Sequence, residues 1–247
     1  GATQVTTMNT NDLIAKLQPE IAGIRRDIHA HPELAFEENR TSDVVARYLE
    51  QLGLDVHRGI AKTGIVAKLK VGDGTRAIGL RADMDALPLD ELNAFAHRST
   101  HTRRMHACGH DGHTAMLLGA AAPLSKTRNV DGTVYFIFQP AEEREGGGRV
   151  MVEEGLFERF PCDAVYALHN WPALPPGKIG ITPGPAMAAG GRIQIGIDGH
   201  GGHGAHPHAA IDPVLVAGHI ITAAQSIVSR NVSPLDTAVV SLCSMQA

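Results

Sequence analysis

Residues 105–113 read Met-His-Ala-Cys-Gly-His-Asp-Gly-His, MHACGHDGH. One Cys, three His and one Asp fall within nine residues, with two Gly as the only flexible joints. Cys108 and His110 stand two apart, so in an extended segment both side chains reach one point. A thiolate beside an imidazole suits zinc, manganese, cobalt or nickel better than calcium or magnesium. Gly109 and Gly112 would let the backbone pass close to an ion. His106, Asp111 and His113 flank the pair as supporting groups. Downstream, 114–122 is rich in Ala and Leu and predicts a short helix that Pro123 ends.

A metal site needs more ligands than this stretch holds, and three strand ends supply candidates. The run 77–80 leads into Arg81-Ala82-Asp83-Met84-Asp85, which puts Asp83 and Asp85 where a strand finishes. The continuous apolar run 134–138 predicts a strand buried on both faces, and it delivers Glu142 and Glu143. Paired acids in such a position can divide the work, one binding metal and the other moving protons. The run 164–168 predicts another buried strand and delivers His169, Asn170 and Trp171. Open α/β sheets gather their sites at the carboxyl ends of strands, so the convergence points to a metal centre.

The flanking patterns set the frame. Ile14, Leu17, Ile21, Ile24 and Ile28 recur at spacings of three and four, predicting a helix over 12–30 capped by Asn11 or Asp12. His31-Pro32 stops it, and His29 and His31 read as residues that satisfy carbonyls at its C-terminus. A second helix is expected over 38–52, with Val44, Val45, Tyr48, Leu49 and Leu52 as its apolar stripe and Gly53 as its C-cap. Residues 64–71 alternate as a strand, and 149–154 predicts a helix ended by Gly155. Together these give an α/β fold class, a mixed sheet with helices on both faces. The Pro-rich segment 172–185 marks a boundary, so domains are expected over 1–184 and 185–247. Beyond it, Ile193, Ile195 and Ile197 alternate in a half-buried strand over 192–197. A Gly-His loop (200–208), a helix (213–230) and a strand (237–242) follow, the start of a smaller α+β module.

Composition narrows the class. Apolar content of 43% and charged content of 19% fit a soluble globular protein. A net charge of −4 argues against a nucleic-acid partner. No apolar run is long enough to span a bilayer, so no membrane is expected. The first residues, GATQVTTMNTND, lack the basic and apolar regions of a signal peptide and read as a cloning remnant ahead of Met8. Three Cys give no disulfide framework, and a cytoplasmic location is the simplest expectation.

The stretches HAHPELAFEE, GLRADMDALP, MHACGHDGHTAMLLGAA, FIFQPAEE, LHNWP and GGHGAHPHAAIDPV resemble, in order and spacing, the metallopeptidase family of N-acyl-amino-acid amidohydrolases. That family includes hippurate hydrolases, plant auxin-conjugate hydrolases, and bacterial carboxypeptidases and deacetylases. The likeness is greatest to the bacterial hippurate-hydrolase-like branch. It implies a di-metal catalytic domain and an inserted lid domain through which a homodimer forms. It implies that Cys108, His110, Glu143 and His169 hold two divalent metal ions (Zn, Mn, Co or Ni), with Cys108 bridging. Glu142 would be the general base, Asp85 the acid that orients the metal cluster, and His203 a lid residue that stabilises the oxyanion. Asn170 and Trp171 would line the substrate pocket. The implied reaction is hydrolysis of an N-acyl amino acid, hippurate-like, to a carboxylic acid and a free amino acid.

In the family the catalytic domain resumes after the lid and supplies a last ligand His. This sequence ends at Ala247, inside the lid, so a partial enzyme is the expectation. Two other readings follow from that: a metal-storage protein using 200–208 as a second site, and an inactive dimerising fragment. His200 and His206 also stand where relatives often carry Lys and an apolar residue.

Overall fold

The structure is a computed structural model that describes residues 9–247, so the stretch read as a cloning remnant lies outside the described residues. The chain divides into two compact units, Gly1–Ile179 and Gly180–Ala247.

The first unit is built on five strands: β1 (Asp55–Ile60), β2 (Gly64–Val71), β3 (Ala77–Asp83), β4 (Gly132–Gln139) and β5 (Ala164–Ala167). Their order across the sheet is β1-β2-β4-β3-β5. β1 and β2 form an antiparallel hairpin, and β2 also runs antiparallel to β4. β4, β3 and β5 are mutually parallel. The sheet is therefore mixed, as expected, and three of its carboxyl ends point the same way.

β4 explains its own apolar sequence. Val134, Phe136 and Phe138 enter one core with α1 (Thr10–Ala30), α2 (Asn39–Gln51) and α3 (His110–Thr127). Tyr135 and Ile137 enter a second core with Met151 of α4 (Gly147–Glu153) and Leu156 of α5 (Leu156–Arg159). Helices thus cover both faces. Phe136 and Phe138 are fully buried, and each such side chain contributes about 1.5–3 kcal/mol.

Several local expectations change. The first helix begins earlier, at Thr10, and Asn9 caps it through a bond from the Asn11 N–H. Its buried face runs from Leu13 rather than Ile14, which is 48% exposed. α2 ends as the sequence suggests. Gly53 takes φ 75°, and the Leu54 N–H reaches back to the Leu49 carbonyl, a left-handed helix termination.

α3 starts at His110 and runs through Pro123, not from 114 to 122. A Pro inside a helix removes one backbone donor, but the packing of Leu117, Leu118, Ala121 and Ala122 keeps the helix continuous. β1 has no counterpart in the expected elements, because the edge strand Asp-Val-His-Arg-Gly-Ile shows no clean alternation. β5 is an edge strand rather than a buried one, with Val165 43% and Tyr166 59% exposed.

The second unit contains α6 (Pro213–Ser226), which continues as a π-helical turn through Ile227–Asn231. Asp212 caps α6 by accepting from the Val214 and Leu215 N–H groups. Residues 192–197 and 237–242 do not form strands. A strand needs a neighbour to satisfy its backbone, and among the described residues of this unit the sole ladder contact is the isolated bridge His200–Ile211. Ile193 and Ile195 are accordingly exposed.

Candidate metal centre

The carboxyl ends of β3, β4 and β5 bring Asp83, the 140–143 turn and the 168–171 segment to one side of the sheet. The start of α3 arrives at the same place and is tied there by Thr114, whose hydroxyl donates to the Asp83 carbonyl at 2.9 Å. His110, the first residue of α3, sits fully buried at the focus.

Cys108 and His110 do meet, though not through an extended segment. Gly109 takes φ 88° and turns the chain into the helix. A Cβ at Gly109 would lie 2.5 Å from Asn170 Oδ1, so both the backbone and the neighbour require glycine there. Gly112, by contrast, is helical with open space around it, and carries no such requirement.

Asp83 and Asp85 approach opposite nitrogens of His110. Asp85 Oδ1 lies 3.2 Å from Nδ1, while Asp83 Oδ2 lies 3.7 Å from Nε2. With Nδ1–H donated to Asp85, the Nε2 lone pair is left free to bind a cation. Asp85 also accepts the Glu142 and Glu143 N–H groups, each at 3.0 Å. One buried carboxylate therefore orients an imidazole and two successive acids.

Cys108 Sγ lies 3.5 Å from His169 Nε2, and His169 Nδ1 donates to the Asn170 carbonyl at 2.7 Å. His113 forms a link between strands. Its Nδ1–H donates to Asp83 Oδ1 at 2.6 Å, and its Nε2 accepts from the Asn170 N–H at 2.9 Å. Asn170 thus holds the chain next to His169. Trp171 is 59% exposed. A cleft beside Glu143 is lined instead by Leu34, Ala35, Asp85, Ala86 and Pro88.

The electrostatics match a cation site. Burial pushes the Cys108 thiol up to about 12, and Glu143, Asp83 and Glu142 add to the effect; a cation beside the sulfur acts in the opposite sense. Burial also raises the Glu142 carboxyl, helped by the charge of Glu143. Burial pushes Asp83 up as well, but the His113 hydrogen bond and the Arg81 charge outweigh it and hold Asp83 at about 2. Among the described residues, His110 Nε2 and Glu143 Oε1 are two of the six buried side-chain polar atoms without a hydrogen-bond partner. They lie 3.6 Å apart. Ligand atoms of Cys108, His110 and His169 lie within 4.8 Å of one another, as do those of His110, Glu142 and Glu143. A soft sulfur, two imidazoles and carboxylates fit a divalent transition metal.

His203 belongs to the second unit, where its Nδ1 accepts from the Ala205 N–H. Its ring centroid is 5.2 Å from that of His206. The histidines of 200–208 are not among the residue groups whose ligand atoms cluster at metal-binding distance among the described residues.

Two histidines divide from their common expectation. His31 bonds the Asp27 carbonyl, as a helix C-terminal residue should. His29 instead lies buried between Asp111 (2.9 Å) and Glu91 (3.0 Å). Glu38 was not anticipated at all. It is fully buried beneath the 140–143 turn and binds the Ala141 N–H and the Thr63 hydroxyl.

The sequence pattern of Peptidase family M20/M25/M40 matches residues 79–243. The chain is 46% identical over 240 residues to a hippurate hydrolase of Campylobacter jejuni, covering 97% of this chain and 62% of that protein. It is 45% identical over 231 residues to an N-acetylcysteine deacetylase of Bacillus subtilis, covering 92% and 60% respectively. It also resembles the crystal structure of the Bacillus subtilis YXEP protein, described as a dinuclear metal binding peptidase from the M20 family. That match has a TM-score of 0.66 and 40% identity, over 69% of this chain and 48% of the other. The chain spans about 60% of the length of the curated relatives it matches. A family pattern covering most of the sequence, with its matched strand ends converging on His110, places this chain in Peptidase family M20/M25/M40.

Proposed function

We propose that the protein hydrolyses the amide bond of N-acyl amino acids at a centre that holds two divalent ions. The observation that carries this reading is the pair of buried, unpartnered ligand atoms, His110 Nε2 and Glu143 Oε1, 3.6 Å apart and next to Glu142. Cys108, His110, Glu143 and His169 are the residues that would hold the ions. Divalent ions held there would supply Lewis-acid polarisation of the scissile carbonyl and would lower the pKa of a bound water toward about 7.

The remaining chemistry belongs to the chain. Glu142 is the proposed base, and burial together with the Glu143 charge raises its carboxyl pKa, the direction that suits a group that takes and returns a proton. It removes a proton from the attacking water. The water oxygen bonds to the acyl carbon, the carbon–nitrogen bond breaks, and Glu142 returns the proton to the leaving amine. Asp85 keeps Glu142 and Glu143 aimed while this happens. Asn170 and Trp171 are proposed to border the substrate. The domain boundary is proposed at 184/185. The second domain is the proposed lid through which a homodimer forms, and His203 is its proposed oxyanion-stabilising residue.

The relatives named as acting on hippurate and on N-acetylcysteine motivate the substrate class. Zinc, manganese, cobalt and nickel all suit the donor set. The three unpaired cysteines suit a reducing, cytoplasmic setting. A panel of N-acetyl, N-benzoyl and N-indolylacetyl amino acids, run with each metal, tests the reading. Hydrolysis of at least one member is expected. Bound metal with no hydrolysis of any member supports a storage role instead.

A further inference from the structure

The segment 29–38, HAHPELAFEE, supplies no proposed metal ligand or base, although Leu34 and Ala35 line the cleft beside Glu143, and its last residue lies directly under the catalytic turn. We propose that Glu38 is a positioning residue whose buried carboxylate fixes the 140–143 turn and so aims Glu142 and Glu143 at His110. This rests on the proposed metal-hydrolase reading and extends it to a residue outside the centre.

The geometry makes the case. Ala141 takes φ 52°, a left-handed conformation that a residue with a Cβ adopts only at a cost. It precedes Glu142 and Glu143, so its conformation sets where both acids leave the turn. Ala141 is fully buried, and its N–H needs an acceptor. Glu38 Oε1 provides it at 2.8 Å, while Oε2 takes the Thr63 hydroxyl at 2.7 Å. The next two N–H groups, of Glu142 and Glu143, go to Asp85. Three successive backbone donors are thus held by two buried carboxylates. The Gly147 N–H closes the turn from the other side by donating to the Ala141 carbonyl at 2.9 Å.

The choice of a carboxylate is informative. Among the described residues Glu38 has no cationic hydrogen-bond partner, only the Thr63 hydroxyl and the Ala141 N–H, and burying a charge without one is expensive. Burial accordingly raises its carboxyl pKa. A residue that only filled space would be served by an apolar side chain. What Glu38 uniquely offers is an acceptor at the Ala141 N–H, reached from the start of α2 across a separation of 103 residues.

The role predicts a specific pattern of loss and rescue. Glu38→Met keeps the approximate volume and removes the acceptor. Glu38→Gln restores an acceptor, because its amide oxygen can take the Ala141 N–H while the Thr63 hydroxyl turns to accept from the amide. The test measures Co2+ binding by the protein, by titration with the metal alone, together with hydrogen exchange of peptides spanning 139–147. Glu38→Met is expected to weaken Co2+ binding about 10- to 100-fold, the usual effect of removing a support behind a ligand. Exchange should speed up in 139–147 and stay unchanged in α1. Glu38→Gln should recover most of the affinity and the protection. Unchanged affinity in Glu38→Met, exchange that rises equally across the whole unit, or no recovery in Glu38→Gln would each overturn the proposal. If Glu38→Met does not fold, Glu38→Asp takes its place. One methylene shorter, it cannot reach both donors, and unchanged exchange in 139–147 overturns the proposal. Failure of the hydrolase reading would show differently, as a wild-type protein that hydrolyses no N-acyl amino acid, and neither readout here depends on turnover.

Discussion

Asp85 Oδ1 stands 3.2 Å from His110 Nδ1, inside a protein region where neither side chain meets water. The same carboxylate receives the N–H groups of Glu142 and Glu143. Burial pushes Asp85 up, but the His110 hydrogen bond and these two N–H groups outweigh it, so Asp85 stays ionised and His110 keeps its proton on Nδ1. The proposed ligands that follow β4 and begin α3, Glu143 and His110, therefore both depend on one acid just past the end of β3. Asp85→Ala should lower divalent-metal affinity by about 10- to 100-fold. Competition with a chelating dye measures this, and an unchanged affinity would show that His110 and Glu143 orient themselves.

Glu142 is the proposed proton carrier and not a ligand. Glu142→Gln should retain its metal and lose about 10²- to 10⁴-fold in kcat, the range for removal of a general base. Steady-state hydrolysis at matched metal content is the check. A variant that turns over N-benzoylglycine near the wild-type rate would assign the base elsewhere.

Gly109 is held by its backbone and by Asn170. Gly109→Ala forces a Cβ into the left-handed region, at about 1–2 kcal/mol, and drives it against Asn170 Oδ1. Chemical denaturation should show at least that loss, and metal affinity should fall as Cys108 and His169 are displaced. A variant as stable as wild type would mean that the 108–110 turn has an alternative path.

His29 ties α1 to the start of α3. The Asp111 hydrogen bond raises its pKa against the opposing effect of burial, and Glu91 adds to the rise. His97 and His106 also face it, with Arg25 bound to the same Asp111 oxygen. Burial raises Asp111, but the His29 hydrogen bond and the nearby cationic groups lower it further. A histidine raised in the folded state gives its full stabilisation below its unfolded value, about 6.5, and loses it as pH rises through the folded value. Asp111 loses its share at the other end, as pH falls through its lowered value. His29→Gln should therefore cost more at about pH 5.5 than at about pH 8.5. Urea unfolding at the two values decides it, and a cost that grows with pH would contradict the pairing.

Cys108 and His110 are marked by their own dense motif, and the strand-end candidates share one property: each lies just after an apolar run. Asp85, Glu142, Glu143 and His169 follow β3, β4 and β5, and the parallel sheet brings such residues together. The apolar periodicity of 12–30 likewise found α1, because burial on one face imposes it, and the apolar run of 64–71 found β2, whose residues enter both cores. Glu38 and His29 escaped for the opposite reason. Each looks ordinary locally, an acid at a helix start and a histidine at a helix end. Their meaning comes from partners 103 and 82 residues away. β1 escaped because its edge position leaves its sequence polar. The strands expected at 192–197 and 237–242 show the reverse error: alternation alone does not make a strand that has no neighbour.

The proposed activity of this centre is amide hydrolysis with bound divalent metal. The most direct measurement is hydrolysis of N-benzoylglycine and its N-acyl relatives by one sample before chelation, after chelation, and after metal is returned. Turnover is expected to disappear with the metal and return with it, while a Cys108→Ala variant recovers neither metal nor rate. Hydrolysis that continues unchanged after the metal has been removed would contradict it.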